Sequence, residues 1–210
     1  MIIRPSDEDM LTAACAVFAD SGFHAATMEE IAARAGTTKP TLYAHFGSKE
    51  DLYRACGERA AATLGRRLFQ AYAAAAELPL ERQVRAGMLT LFGYAAGHSA
   101  AFRLLFGADP VGTVAAARER LMTAATTEIA ERIRDFTERH GRGRWGVSAE
   151  LCASLITGLT VEGARHALSA ESLDTGSAAE FATLFTVAAL RHIDPAIAEE
   201  IDGAGPPDLP

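Results

Sequence analysis

The 210-residue chain is predicted to be all-α, with an N-terminal three-helix head carrying a helix-turn-helix and a larger C-terminal helical domain. Three observations predict this. About a fifth of the residues are alanine, the strongest intrinsic helix former. No segment alternates apolar and polar residues for long enough to make a strand. Helix starts also recur: Ser6-Asp7-Glu8-Asp9, Thr27-Met28-Glu29-Glu30, Ser48-Lys49-Glu50-Asp51 and Ser177-Ala178-Ala179-Glu180 each set a hydroxyl three residues before a carboxylate. In a capping box the hydroxyl accepts from a free N–H of the first turn and the carboxylate reaches back to the cap.

These signals place α1 over 6–21, α2 over 28–35, α3 over 39–46, α4 over 49–76, α5 over 80–97, α6 over 100–106, α7 over 110–139, α8 over 148–169 and α9 over 177–193. Gly22 and Gly36 stand where α1 and α2 should stop. Asp109-Pro110 marks the start of α7, a capping acceptor followed by proline at the first helical position. A Gly/Arg-rich loop, Gly141-Arg142-Gly143-Arg144, separates α7 from α8. The organisation expected is a head over 1–50, a ligand-binding and dimerisation domain over 51–202, and a flexible tail over 203–210.

Composition narrows the class. With 49% hydrophobic and 22% charged residues and a net charge of −7, the chain can build a core and is not a disordered segment. The N-terminus has no apolar export region, and the apolar run from Leu151 to Val161, bounded by Glu150 and Glu162, is too short to span a bilayer. Cys15, Cys56 and Cys152 are odd in number and form no CxxC pair, so three reduced thiols in a cytoplasmic protein are expected.

Within the head, Leu11, Ala14, Cys15 and Phe18 share one face of α1, Ile31, Ala32 and Ala35 one face of α2, and Leu42 and Phe46 one face of α3. Only Gly36-Thr37-Thr38 lies between α2 and α3, which makes the pair a helix-turn-helix. If Leu42 and Phe46 point inward, Thr38, Lys39, Thr41, Tyr43 and His45 remain at or near the surface. These are donors suited to phosphates and base edges. Pro40 fits the first helical turn, and Lys49 opens α4, where free N–H groups also favour an anion. Lys39 and Lys49 are the only lysines in the chain.

The run from Met10 to about Glu58 resembles the TetR/AcrR family of bacterial transcriptional regulators. The resemblance is carried by Leu11-Thr12-Ala13-Ala14, Phe18-Ala19, Gly22-Phe23, Ala26-Thr27, Ile31-Ala32, Ala35-Gly36, Lys39-Pro40-Thr41-Leu42-Tyr43-Ala44-His45-Phe46 and Ser48-Lys49-Glu50-Asp51-Leu52. It implies that α3 enters the major groove of operator DNA while α2 and the start of α4 grip phosphates. The positions implied as DNA contacts are Thr27, Thr38, Lys39, Pro40, Thr41, Tyr43, His45 and Lys49. Of these, Lys39, Pro40 and Thr41 would face bases, and Tyr43 and His45 phosphates.

The charge of the head runs against simple attraction. Over residues 1–60, six basic side chains face nine acidic ones, a net −3. Carboxylates engaged in capping at helix starts, away from the groove, reconcile this with DNA binding. Glu29 is the exception, because the resemblance puts its position near base edges. It either accepts from a cytosine amino group or is a solvated helix residue.

A palindromic operator needs two reading heads, so a two-fold homodimer is expected. The resemblance implies that the last two long helices form its interface. Here they offer Leu151, Leu155, Gly158 and Leu159 on α8 and Phe181, Leu184, Phe185 and Ala188 on α9. A Met/Phe-rich set, Met88, Phe92, Phe102, Phe106 and Met122, suits either an adaptable pocket for a small apolar or amphipathic effector or plain core. Its candidate polar handles are Tyr94, His98, Arg103, Thr126, Glu162 and His166. Glu162 and His166 share a helix face, but two ligands do not make a metal site, and no metal or cofactor is assigned. The function expected is a ligand-responsive, DNA-binding transcriptional regulator, a repressor by family habit, in which α4 links Lys49 to the sensing helices. The alternatives are an architectural DNA binder without an effector and an all-helical enzyme. Against the enzyme, the sequence has no nucleophile elbow, HExxH, P-loop or dinucleotide fingerprint.

Overall fold

A computed structural model describes residues 5–109, 111–170 and 172–203. Among them are ten helices and no strand: α1 (Asp7–Ala25), α2 (Met28–Arg34), α3 (Lys39–Phe46), α4 (Lys49–Ala75), α5 (Leu80–Gly97), α6 (Ser99–Phe106), α7 (Ala115–Arg139), α8 (Val147–Ser169), α9 (Thr175–His192) and α10 (Pro195–Gly203). None of the described helices is long and apolar enough to cross a membrane. The chain divides into two compact units. The head unit takes the described residues of Met1–Arg66 and Tyr94–Leu121, and the second unit those of Arg67–Gly93 and Met122–Pro210.

In the head unit, α1 packs against α2 and α6, and α2 against α3. Met10, Ala14, Cys15, Val17 and Phe18 of α1 are buried with Ile31, Leu42, Leu52 and Cys56, giving the small core that the apolar stripes require. Ser6 and Asp9 form a complete capping box. At Gly22 the backbone takes φ +76°, where α1 was expected to end. One further turn follows this kink, to Ala25, and places Phe23 in the core. Gly36, at φ +65°, closes α2, with the Thr37 N–H donating to Ala32 O at 2.9 Å. This six-to-one bond past a left-handed residue is a Schellman turn, and glycine occupies the left-handed position without Cβ strain.

Besides the end of α1, two helix starts and one whole helix differ from expectation. The expected start of α7 at Pro110 lies outside the described residues, and the helix begins at Ala115. Asp109 does cap it, but its Oδ2 accepts from the N–H groups of Val114 and Ala115 (2.9 and 2.8 Å), five and six residues along. Helix α9 starts two residues early because Asp174, not Ser177, is its cap, accepting from Ser177 N–H at 2.7 Å. The carboxylate that would complete a Ser177 box, Glu180, instead pairs with Arg85 of α5 (Arg85 Nε to Oε2, 3.0 Å). Helix α10 was not expected, although Asp194-Pro195 repeats the signal noted at Asp109-Pro110. Asp194 Oδ1 accepts from Ala196 N–H at 2.9 Å. The expected tail, beyond Gly203, lies outside the described residues.

The second unit buries Trp145 among Ala130, Ile133, Ala149, Ala153, Leu190 and Ala198. The Gly/Arg-rich loop is part of this packing. Arg142 donates to the carbonyls of Leu190 and Ile193 at the end of α9, and Trp145 Nε1 donates to Arg142 O at 3.1 Å. Asp202, near the end of α10, caps the start of α8 from outside the helix. It accepts from the N–H groups of Gly146 and Ser148, both at 2.7 Å, and from Ser148 Oγ at 2.8 Å. Partial burial pushes its carboxyl up, but these donors outweigh it and hold the group below its ordinary 3.8. Asp202→Ala is therefore expected to cost about 1–2 kcal/mol at neutral pH, as for loss of a helix cap. Because the folded-state pKa is depressed, this contribution is present above 3.8 and lost as pH falls through the folded value. Urea unfolding of wild type and variant should thus diverge at pH 7 and converge in strong acid.

Candidate nucleic-acid interface

Helix α3 is built to present its outer face. Thr38 caps it, its Oγ1 accepting from Thr41 N–H at 3.3 Å and lying 2.8 Å from Thr41 Oγ1. Pro40 sits in the first turn. Leu42 is its single fully buried side chain, and Phe46, expected in the core, is half-buried. Thr38, Lys39, Pro40, Tyr43 and His45 are exposed and Thr41 is half-buried. Thr27 caps α2, accepting from Glu30 N–H at 3.1 Å, without the reciprocal half of a capping box.

The basic groups of this face are positioned by neighbours. Lys49 Nζ donates to His24 O at 3.3 Å and lies 4.6 Å from the centre of the Phe23 ring. The kinked last turn of α1 therefore seats the lysine that opens α4. His45 Nδ1 is 2.9 Å from Asp7 Oδ1. Lys39 pairs with Glu29 of α2 and lies 5.9 Å from the Tyr43 ring. The hydrogen bond from Lys39 pulls the Glu29 carboxyl below its ordinary range and raises the Lys39 ammonium above its own, so both stay charged.

Seven of the nine carboxylates do stand in first helical turns, Asp7, Glu8 and Asp9 on α1, Glu29 and Glu30 on α2, and Glu50 and Asp51 on α4, but not all are away from the expected contacts. Asp9 reaches back to the Ser6 N–H, whereas at the start of α4 Ser48 is the cap, accepting from Asp51 N–H, and Asp51 Oδ2 accepts from Ser48 Oγ. Asp20 instead meets Arg34 (3.1 Å) and Arg103 (3.5 Å), and Glu58 meets Arg120 (2.7 Å). Asp7 and Glu29 stand beside expected DNA contacts, and Glu29 is not merely solvated. Sequence reasoning missed the Asp7–His45 and Lys49–His24 contacts, which join separate helices and leave no spacing signal.

A sequence model of bacterial regulatory proteins of the tetR family matches residues 10–56, a span that contains all eight of these positions. Over 193 residues, 90% of this chain and 86% of the relative, the chain is 33% identical to the HTH-type transcriptional activator FasR of Mycolicibacterium smegmatis. The chain belongs to the TetR family. Solved structures share the fold. A TetR-like transcriptional regulator from Rhodococcus sp. RHA1 superposes with a TM-score of 0.70 at 26% identity, covering 89% of this chain and 96% of that one. SmeT, in a structure with triclosan, gives 0.70 at 20% identity, covering 88% and 91%. As a TetR-family member, the protein is a DNA-binding transcriptional regulator with an N-terminal helix-turn-helix.

The remaining candidates of this TetR-family protein are divided between the units. Phe102 and Phe106 belong to the head unit, their ring centroids 4.9 Å apart. Met88, Phe92, Met122, Thr126, Glu162 and His166 belong to the second unit. There Met88 Sδ accepts from Thr160 Oγ1 at 3.4 Å, and Thr126 Oγ1 lies 3.2 Å from Thr157 Oγ1. Phe92, Glu162 and His166 line an apolar groove of about 720 Å³ together with Leu159, Phe181 and Phe185. Gly163 admits the Phe92 ring, since a Cβ there would lie 3.1 Å from Cζ. Glu162 pairs with Arg165 rather than with His166. The α8 and α9 stripes point outward: Leu155 is 65% exposed, Phe181 72% and Leu184 61%. Leu151, Gly158, Phe185 and Ala188 are exposed too, and Leu159 is half-buried.

Proposed function

We propose that this TetR-family protein acts in the cytoplasm, binding a pseudo-palindromic operator as a two-fold homodimer and losing operator affinity when an apolar or amphipathic effector binds its second unit. The observation that carries the dimer is the outward apolar face of α8 and α9, because large contiguous apolar patches on soluble proteins mark association sites. Each chain contributes one reading helix, with Thr27, Thr38, Lys39, Pro40, Thr41, Tyr43, His45 and Lys49 as its contacts. The apolar groove, which shares Leu159, Phe181 and Phe185 with the α8/α9 face and reaches Phe92, Glu162 and His166 beyond it, and the fact that SmeT takes triclosan, support a small-molecule effector. Repression, the expected sign, follows where the operator overlaps a promoter. FasR is an activator, and the same head would activate from an upstream site.

Selection from a randomised duplex pool tests this. Half-sites about one helical turn apart, or a multiple of it, are expected, and a footprint of one asymmetric site bound by a monomer would overturn the reading. Lys49→Ala should weaken all duplexes alike and reduce the salt slope by roughly 1. An effector that releases the operator must, by linkage, bind operator-bound protein about 5–150-fold more weakly.

A further inference from the structure

Glu29 and Lys39 come from different helices, the first turn of α2 and the first turn of α3, and meet in front of the reading helix. Both side chains are largely exposed, at 65% and 43%. An ion pair that open contributes little to folding. For attraction to phosphate the pair is counterproductive, because it neutralises one of the two lysines in a head that already carries net −3. Its useful property is chemical: it fixes a cationic donor and an anionic acceptor side by side.

That arrangement complements one base-pair edge. In the major groove, a G·C pair presents in order the N7 acceptor, the O6 acceptor and the cytosine N4 amino donor. An ammonium over the first two positions and a carboxylate over the third satisfy all three while staying in contact with each other. An A·T pair presents acceptor, donor, acceptor, so the same pair meets an amino group beneath the ammonium and a carbonyl beneath the carboxylate. A C·G pair reverses the order. We propose that Glu29 and Lys39 act as one reader of a single G·C pair in each half-site, Lys39 donating to guanine O6 and N7 and Glu29 accepting from the paired cytosine N4. The assignment rests on the operator-binding reading above. Tyr43, with its ring near Lys39 Nζ, restricts where the ammonium can go.

The test is selection of duplexes from a randomised pool by the full-length wild type, Lys39→Ala, Glu29→Ala and Glu29→Gln at one salt concentration. Thermal melting confirms that each variant is folded. Wild type should enrich a G·C pair at one symmetric position in both half-sites. Lys39→Ala and Glu29→Ala should relax that same position, each reducing its preference by about tenfold. Glu29→Gln keeps an acceptor and adds an amide donor, so it should retain part of the preference and newly admit thymine O4. The proposal is overturned if Glu29→Ala binds every duplex more tightly but enriches the wild-type consensus, for Glu29 is then only a charge shield. It is equally overturned if Glu29→Ala and Lys39→Ala relax different positions. A pool from which wild type enriches nothing overturns the operator-binding reading instead.

Discussion

Leu155→Glu and Phe185→Glu are each expected to convert the protein to monomers and to abolish specific operator binding. The argument starts from exposure. Leu151, Leu155, Phe181, Leu184 and Phe185 present large apolar groups to solvent from two adjacent, packed helices. A buried aromatic side chain removes about 150–250 Å² from water, so covering this face with its own copy is strongly favourable. In a two-fold interface every substitution occurs twice, and a glutamate within it places two unpaired carboxylates in an apolar seam. Truncation of central interface anchors alone costs about 2–4 kcal/mol, a weakening of dimerisation by about 30- to 1,000-fold. Two desolvated charges add to that. A monomer holds one reading head and grips one half-site, so the loss on the full operator should be close to total at working concentrations. Because both positions are exposed in the single chain, each variant should stay folded, its melting temperature lowered only by the lost dimer contact. Sedimentation velocity and a gel shift on the selected duplex check both halves. A variant that stays dimeric, or a monomer that still binds the duplex as tightly, removes the α8/α9 face as the interface.

How much of this was legible in the sequence depends on the range of the interactions. Helix α3 runs over Lys39–Phe46 as expected because its determinants are all local: the Thr38 cap, Pro40 in the first turn, Leu42 inward and Gly47 at the end. Helix α7 started late because Asp109 reaches N–H groups five and six residues away, a loop length that capping rules do not encode. The Ser177 box failed because Arg85, ninety-five positions earlier in the chain, claims Glu180. Helix α10 had a local signal in Asp194-Pro195, but its anchor, the bonds that Asp202 accepts from the start of α8, is non-local. The site divides the same way. Helical spacing identified which side chains of α3 face outward, but not that Glu29 would hold Lys39 or Asp7 meet His45. Phe102 and Phe106 showed an apolar stripe without showing which core takes it, and α6 lies against α1 in the head.

Leu42→Ala is expected to disable the reading head while sparing the second unit. Helix α3 has eight residues, and an isolated helix that short is not stable in water. Its position therefore depends on packing, and Leu42, fully buried, is its one completely enclosed side chain. Cutting it to alanine loses the transfer free energy of the removed carbons and leaves a cavity, together about 2–5 kcal/mol. Set against the marginal stability of ordinary domains, about 5–15 kcal/mol, that is a large fraction. Leu42→Met, which conserves volume, should cost less than about 1.5 kcal/mol and keep most operator affinity. The chain's single tryptophan gives a clean discriminator. Trp145 lies in the core of the second unit, so its fluorescence reports that unit, while far-UV circular dichroism reports both. In urea, Leu42→Ala should show an early loss of helical signal, with operator binding lost alongside it, and a Trp145 transition near the wild-type midpoint. Two probes that shift together would mean that the head and the second unit unfold as one cooperative body, and the expected selective loss would then be wrong.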